Sequence, residues 1–211
     1  MGKAFSDKER EIVRNRLLEV GEVCFTESGL KKTSIEVVTE KAGIGRGTFY
    51  HFFSSKEDLY LTVIELVSER VQASLLKEIE KGAEAPEATF RLFLEKLFML
   101  ADENPLLGVL FTRKEVLNSL LNNLPDDRVE AFLVHNDRVI RGVLQALRAT
   151  GMEIAVSPEI FAAMVRGFNL MSLHRDIIAV EEFRCMIKIV AGAVADKLLE
   201  GSGRATHGVA G

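Results

Sequence analysis

From Asp7 to Glu200 the apolar residues of this chain recur at intervals of three and four, and no run of alternating apolar and polar residues competes with that spacing. A 3.6-residue period lines one face of a helix with apolar side chains, so the pattern predicts an all-α fold. Val13, Leu17, Val20 and Cys24, widened by Leu18 and Phe25, predict a first amphipathic helix from Asp7 to about Thr26, capped by Ser6 or Asp7. Ser28-Gly29-Leu30 ends it, because glycine accepts the left-handed conformation common just past a helix C-terminus.

Thr33-Ser34-Ile35-Glu36 reads as a capping box, with the threonine oxygen accepting from the amide three residues on and Glu36 reaching back, and a second helix starts at Ser34. Ile35, Val38 and Ala42 face the first helix. Gly43-Ile44-Gly45 then breaks the chain after about two turns, a third short helix follows, and Ser55-Lys56-Glu57-Asp58 opens a long fourth helix carried by Leu59, Val63, Leu66, Val67 and Val71 to about Lys81. Further helices are expected at about 87–102, 105–121, 126–149, 158–176 and 181–200. They are separated by Asn104-Pro105, Asn122 to Pro125, Thr150-Gly151 and Ser157-Pro158, about nine helices in all. Gly201 to Gly211 lacks any apolar repeat and is expected to be a flexible tail.

With 211 residues, 47% of them hydrophobic, the chain has enough apolar material for a large core, and it contains no run near the roughly 20 apolar residues of a membrane span. The charged amino terminus lacks a following apolar block, so a soluble, cytoplasmic protein with no membrane partner is expected. Cys24 and Cys185 stand alone, without Cys or His neighbours at metal-ligand spacing, and are expected to be buried, reduced thiols. The net charge of −4 divides unevenly: residues 1–56 hold ten Lys or Arg against eight Asp or Glu, for +2, and residues 57–211 hold seventeen against twenty-three, for −6. The positive share sits at the amino end, where a local patch would attract an anionic partner.

That end also holds the densest chemistry. In the segment Ala42 to Leu59 the glycines allow a sharp reversal. Arg46, Thr48, Tyr50, His51 and Lys56 offer donors suited to phosphates and base edges, over an apolar underside of Phe49, Phe52 and Phe53. Gly43, Gly45 and Gly47 do not form a nucleotide-phosphate loop, since no strand precedes them and no Gly-Lys-Thr or Gly-Lys-Ser follows. The stretch from Ser6 to Tyr60 resembles the DNA-binding domain of TetR-family transcriptional regulators. The resemblance rests on Ala42-Gly43-Ile44, Arg46-Gly47-Thr48-Phe49-Tyr50-His51, Phe53, and Ser55-Lys56-Glu57 with Leu59. It departs from that family at Gly45, where Ser or Thr is usual and a hydroxyl is therefore missing.

The resemblance implies a three-helix helix-turn-helix DNA-binding domain over residues 1–56, then a helical ligand-binding and dimerisation domain over 57–200, with the tail at 201–211. The implied partners are double-stranded DNA carrying a palindromic operator, a second copy of the chain, and an unidentified small-molecule effector. The expected DNA contacts are Thr33, Ser34, Gly45, Arg46, Thr48, Tyr50, His51 and Lys56, with Arg46 and Thr48 at base edges and Thr33 and Lys56 gripping phosphates at helix starts. Phe93, Phe98, Phe111, Phe132, Met164, Phe168, Met171 and His174 are expected to line an apolar or amphipathic effector pocket, with Arg113, His135 and Asn169 as further polar candidates. Phe161, Val165, Phe168 and Ser172, with Ile187, Val190, Ala191, Val194, Ala195 and Leu198, form stripes suited to a four-helix dimer interface or, alternatively, to interior packing. Neither a metal constellation nor a catalytic grouping is legible, and no cofactor or enzymatic activity is expected. The reading that follows is a repressor released from DNA by its effector; the alternative is an all-helical small-molecule sequestering protein that does not bind DNA.

Overall fold

Every regular element is an α-helix among residues 5–82, 85–112, 114–154, 156–172 and 180–199, which the computed structural model describes. There are eleven helical segments in that set: α1 Asp7–Lys32, α2 Ile35–Ala42, α3 Arg46–Phe49, α4 Lys56–Lys81, α5 Pro86–Phe98, α6 Leu100–Glu103, α7 Pro105–Thr112, α8 Lys114–Asn123, α9 Asp126–Ala149, α10 Pro158–Ser172 and α11 Val180–Leu199. The count exceeds nine partly because Met99, at φ −92° and ψ 2°, interrupts what reads as one helix and separates α5 from α6. The tail from 201 and the end of the helix expected at 158–176 lie outside the described residues.

The chain packs as two compact units. One contains α1–α3, α4 as far as Val67, α8 and the start of α9 to Leu133; the other contains α4 from Ser68, α5–α7, α9 from Val134, α10 and α11. The break expected at residue 56 is thus not where packing divides the chain, because α4 and α9 each run from one unit into the other.

Within the first unit α1 opens on a full capping box: the Glu9 amide donates to Ser6 Oγ at 3.3 Å and the Ser6 amide donates to Glu9 Oε2 at 2.8 Å. Gly29 leaves the helical path at φ 73°, yet the helix resumes for a further turn to Lys32. Leu17, Leu18, Cys24 and Phe25 are buried, as their spacing requires. Gly21 sits where α4 passes: a Cβ there would lie 3.1 Å from Leu59 Cδ2, so glycine permits the close approach. On α4, Leu59, Tyr60, Val63, Ile64 and Val67 turn inward while Leu66 is exposed, and Tyr60 meets Phe25 edge-on at 5.0 Å.

The capping box expected at Thr33 is corrected. Ser34 caps α2, its Oγ accepting from the Val37 amide at 3.3 Å. Thr33 instead closes α1, 2% exposed, its hydroxyl shared between the carbonyls of Gly29 at 2.9 Å and Cys24 at 3.2 Å. Burial decides the competition: a hydroxyl withdrawn from water must find a partner, and the open carbonyls of the kinked helix end supply it. At the far end of α2, Gly43 takes φ 68° and ψ 34°, with Gly43 and Ile44 amides returning to the carbonyls of Glu40 and Thr39, the paired bonds of a Schellman closure.

The start of α9 is held to α4 by Arg128. Its guanidinium donates to Asp58 Oδ1 at 3.1 Å and to Glu65 Oε1 and Oε2 at 2.8 and 3.0 Å, with Thr62 Oγ1 at 3.2 Å. Burial alone would lower the Arg128 pKa, but hydrogen bonds to Glu65 and Asp58 outweigh it and raise it. Beside this cluster Ser119 of α8 donates to Glu57 at 3.4 Å.

The second unit is organised by α5 against α11. Phe90, Phe93, Leu94 and Phe98 pack with Ile187, Ala191, Ala195 and Leu198, and Phe161 and Val165 of α10 join the same cluster. Phe93 lies parallel to both Phe90 at 6.3 Å and Phe161 at 6.5 Å, and Phe98 stacks on Phe168 at 3.8 Å. The stripes at Phe161, Val165, Ile187, Ala191 and Ala195 are therefore interior packing. Cys24 is buried as expected, but Cys185 is exposed, because it lies on the face of α11 opposite that core.

Candidate nucleic-acid interface

The site begins with what makes so short a helix persist. The four residues of α3 cannot hold a helix by themselves, and Gly45 caps it without a side-chain bond. Backbone bonds carry the turn onward, from His51 to Thr48 and from Phe52 and Phe53 to Phe49. Phe49 anchors it: the ring is 0% exposed, 5.9 Å from Phe53 and edge-on to Tyr50 at 5.5 Å. Two arginines of α1 lie over neighbouring rings, Arg10 above Phe52 at 5.5 Å and Arg14 above Phe53 at 5.7 Å, contacts the sequence pattern did not single out.

With Phe49 turned inward, Gly45, Arg46, Tyr50 and His51 are exposed and Thr48 is half-buried. Arg46 is not free in space. Its Nη1 pairs with Glu36 Oε1 of α2 at 2.6 Å and its Nη2 reaches the Tyr50 hydroxyl at 3.5 Å. A groove of about 350 Å³ runs beside this row, lined by Ser34, Glu36, Arg46, Tyr50, Ser55 and Lys56 among others. Six of the expected contacts, Ser34, Gly45, Arg46, Thr48, Tyr50 and His51, thus stand at or near one surface.

Thr33 and Lys56 are placed differently from expectation. The Thr33 hydroxyl is buried and committed, as above. Lys56 Nζ donates to the carbonyls of Leu30 at 2.9 Å and Thr33 at 3.1 Å, so the ammonium closes the C-terminus of α1. Both residues hold the α1–α2 corner rather than presenting side chains outward. Glu36 is the contact that sequence reasoning missed; it was assigned to a cap, and only the folding of the turn brings it against a residue ten positions on.

Four of the expected effector-pocket residues, Phe93, Phe98, Met164 and Phe168, share one cluster. Phe93 and Phe98 are buried in the core of the second unit, with Met164 and Phe168 packed on it. Met171 is exposed, and Phe132 belongs to the first unit, since it lies on the part of α9 that packs there. The side chains of Phe111 and Asn169, and residues Arg113 and His174, lie outside the described part of the structure. His135 Nε2 is buried without a hydrogen-bond partner.

A short exposed helix, set over an aromatic anchor and joined to its neighbour by a glycine turn, defines a helix-turn-helix protein. Residues 17–63 match the family model of bacterial regulatory proteins of the tetR family. The HTH-type transcriptional regulator UidR of Escherichia coli is 27% identical over 157 residues, 74% of this chain and 75% of that one. The uncharacterised HTH-type regulator YhgD of Bacillus subtilis is 34% identical over 68 residues, and the match spans only 31% of its length. Among solved structures RolR, determined with its ligand resorcinol, aligns with a TM-score of 0.56 at 22% identity, covering 94% of this chain and 97% of that one. Over residues 17–63 the chain is thus similar to the tetR family of bacterial regulatory proteins, and over 74% of its length to an HTH-type transcriptional regulator.

Proposed function

We propose that the protein is a homodimeric, ligand-responsive transcriptional regulator, acting in the cytoplasm as a repressor released from a palindromic operator by a small apolar or amphipathic effector. The observation that carries this reading is the row of exposed Arg46, Tyr50 and His51, with Thr48 half-buried among them, above the buried Phe49. Arg46 and Thr48 address base edges; Ser34, Tyr50 and His51 position the helix on phosphates, with the Lys56 ammonium, its remaining N–H, and the backbone around Thr33 and Gly45 behind them. Residues 1–56 then carry DNA reading, and 57–200 carry effector binding and dimerisation. The aromatic and methionine-rich interior of the second unit supports an apolar effector, as does the resorcinol held by RolR on a similar fold. An effector that prefers the conformer with mis-spaced reading heads weakens operator binding by its differential affinity.

The test uses a duplex selected by the wild-type protein from a randomised pool. Arg46→Ala is expected to weaken binding to it by roughly 5- to 150-fold, the value of one bidentate base contact, while binding to random DNA falls much less. Equal affinity of variant and wild type for both DNAs, at two salt concentrations, removes Arg46 from the interface.

One short helix reads few base pairs, so useful discrimination needs two copies about one helical turn apart. With the inner stripes of α10 and α11 occupied, we place the dimer contact on their outer faces, where Ile160 is 57%, Met171 44% and Ile189 67% exposed. Gly167 and Gly192 lie on these helices with nothing of their own chain within 4 Å of a Cβ position, so neither glycine is demanded by the protomer. Ile189→Asp is expected to raise the dimer dissociation constant by roughly 30-fold, the effect of a central interface residue. Sedimentation velocity over a concentration series measures it; an unchanged constant puts the interface elsewhere.

A further inference from the structure

Glu36 is an acid on a surface proposed to meet polyanionic DNA, and its charge there opposes binding unless it does something else. It sits in the first turn of α2, 57% exposed at the side chain, 2.6 Å from Arg46 at the first residue of α3. The pair crosses the glycine turn and is the link between the two side-chain sets that flank the groove. A carboxylate is required for it: a hydrogen bond to its own backbone amide holds the Glu36 pKa below the ordinary value, and Arg46 lowers it further. With Nη1 engaged by Glu36 and Nη2 by the Tyr50 hydroxyl, the guanidinium is held from two sides, and three of its five N–H groups remain for DNA. An arginine fixed in one orientation discriminates between base edges; an unrestrained one finds a phosphate as readily as a guanine.

We propose that Glu36 is a positioning residue that fixes Arg46 for base reading, trading overall DNA affinity for sequence specificity. The inference rests on the DNA-reading function proposed above. Its test is Glu36→Gln, nearly isosteric and uncharged, titrated with the selected duplex and with random DNA across a salt series. The ratio of selected to random affinity is expected to fall about fivefold or more. Random-sequence affinity is expected to rise a few-fold at low salt, with a steeper salt dependence, because one negative charge has left the interface. In an Arg46→Ala background the same substitution should no longer change the ratio, since Glu36 acts through Arg46.

Each other outcome overturns the inference. If both affinities rise together, Glu36 only competes with DNA for Arg46. If both fall with the melting temperature, its role is structural; if neither changes, it has none in DNA binding. A ratio that still falls without Arg46 shows that Glu36 works by another route. Should the wild-type protein enrich no sequence from the pool, the DNA-reading function itself fails and takes this inference with it; enrichment that Glu36→Gln leaves intact sinks the inference alone.

Discussion

Replacing Arg128 with methionine is expected to destabilise the protein by about 2–4 kcal/mol, somewhat below the 3–5 kcal/mol typical of breaking a buried ion pair. The reduction reflects partial access to water, since the side chains of Arg128, Asp58 and Glu65 are 22%, 19% and 20% exposed. What costs energy is less the lost attraction than the two carboxylates left on one face of α4 without a cation. Urea unfolding at fixed protein concentration measures the loss as a lowered midpoint. Adding Glu65→Leu to the methionine variant should recover part of it by removing one unpaired charge. A midpoint unchanged in the single variant would mean that water already screens the cluster. The effect should extend to function, because Arg128 holds the start of α9 on the helix that leads out of the reading head.

The second large effect is expected at Phe49. Its ring is wholly buried, and Phe49→Ala removes the one anchor that α3 has within its own four residues. Losing a fully packed phenylalanine costs about 3–5 kcal/mol. Because α3 has no side-chain cap and too few residues to persist alone, much of that cost should appear as local loosening of the turn. DNA binding should therefore be lost under conditions where the helical content of the second unit survives. Circular dichroism together with titration of the selected duplex distinguishes this from global unfolding. Retained sequence-specific binding by Phe49→Ala would show that Tyr50 and Phe53 suffice to hold the helix.

Most of the helix boundaries were legible because the interactions that set them are local. Pro105 and Pro158 begin their helices, Ser6 caps α1, and Gly43 closes α2 in the left-handed conformation, each decided by residues within one turn. The exposed face of α3 was legible for the same reason. In a short helix entered by a glycine turn, one apolar ring, Phe49, between the polar Thr48 and Tyr50 already marks which side chain turns inward. The Thr33 cap failed where a tertiary demand overrode a local one: either Thr33 or Ser34 could cap α2, and burial against the end of α1 took Thr33 away.

Other assignments depended on pairings that spacing cannot show. Lys56 reaches carbonyls 26 and 23 residues earlier, and Arg128 meets carboxylates 70 and 63 residues away. The stripe on α11 announced that one face would be buried; whether α5 of the same chain or a second copy would cover it depended on how the helices pack. Phe132 and Phe93 look alike as apolar helix positions, yet the start of α9 packs Phe132 in the first unit while α5 buries Phe93 in the core of the second. Periodicity and caps determined that this chain is helical, where it turns, and which short helix faces outward, because those outcomes follow from backbone hydrogen bonds and apolar spacing over a few residues. The partners of its buried faces and buried charges came only with the tertiary structure, because desolvation and ion pairing depend on distances in space between residues far apart in the chain.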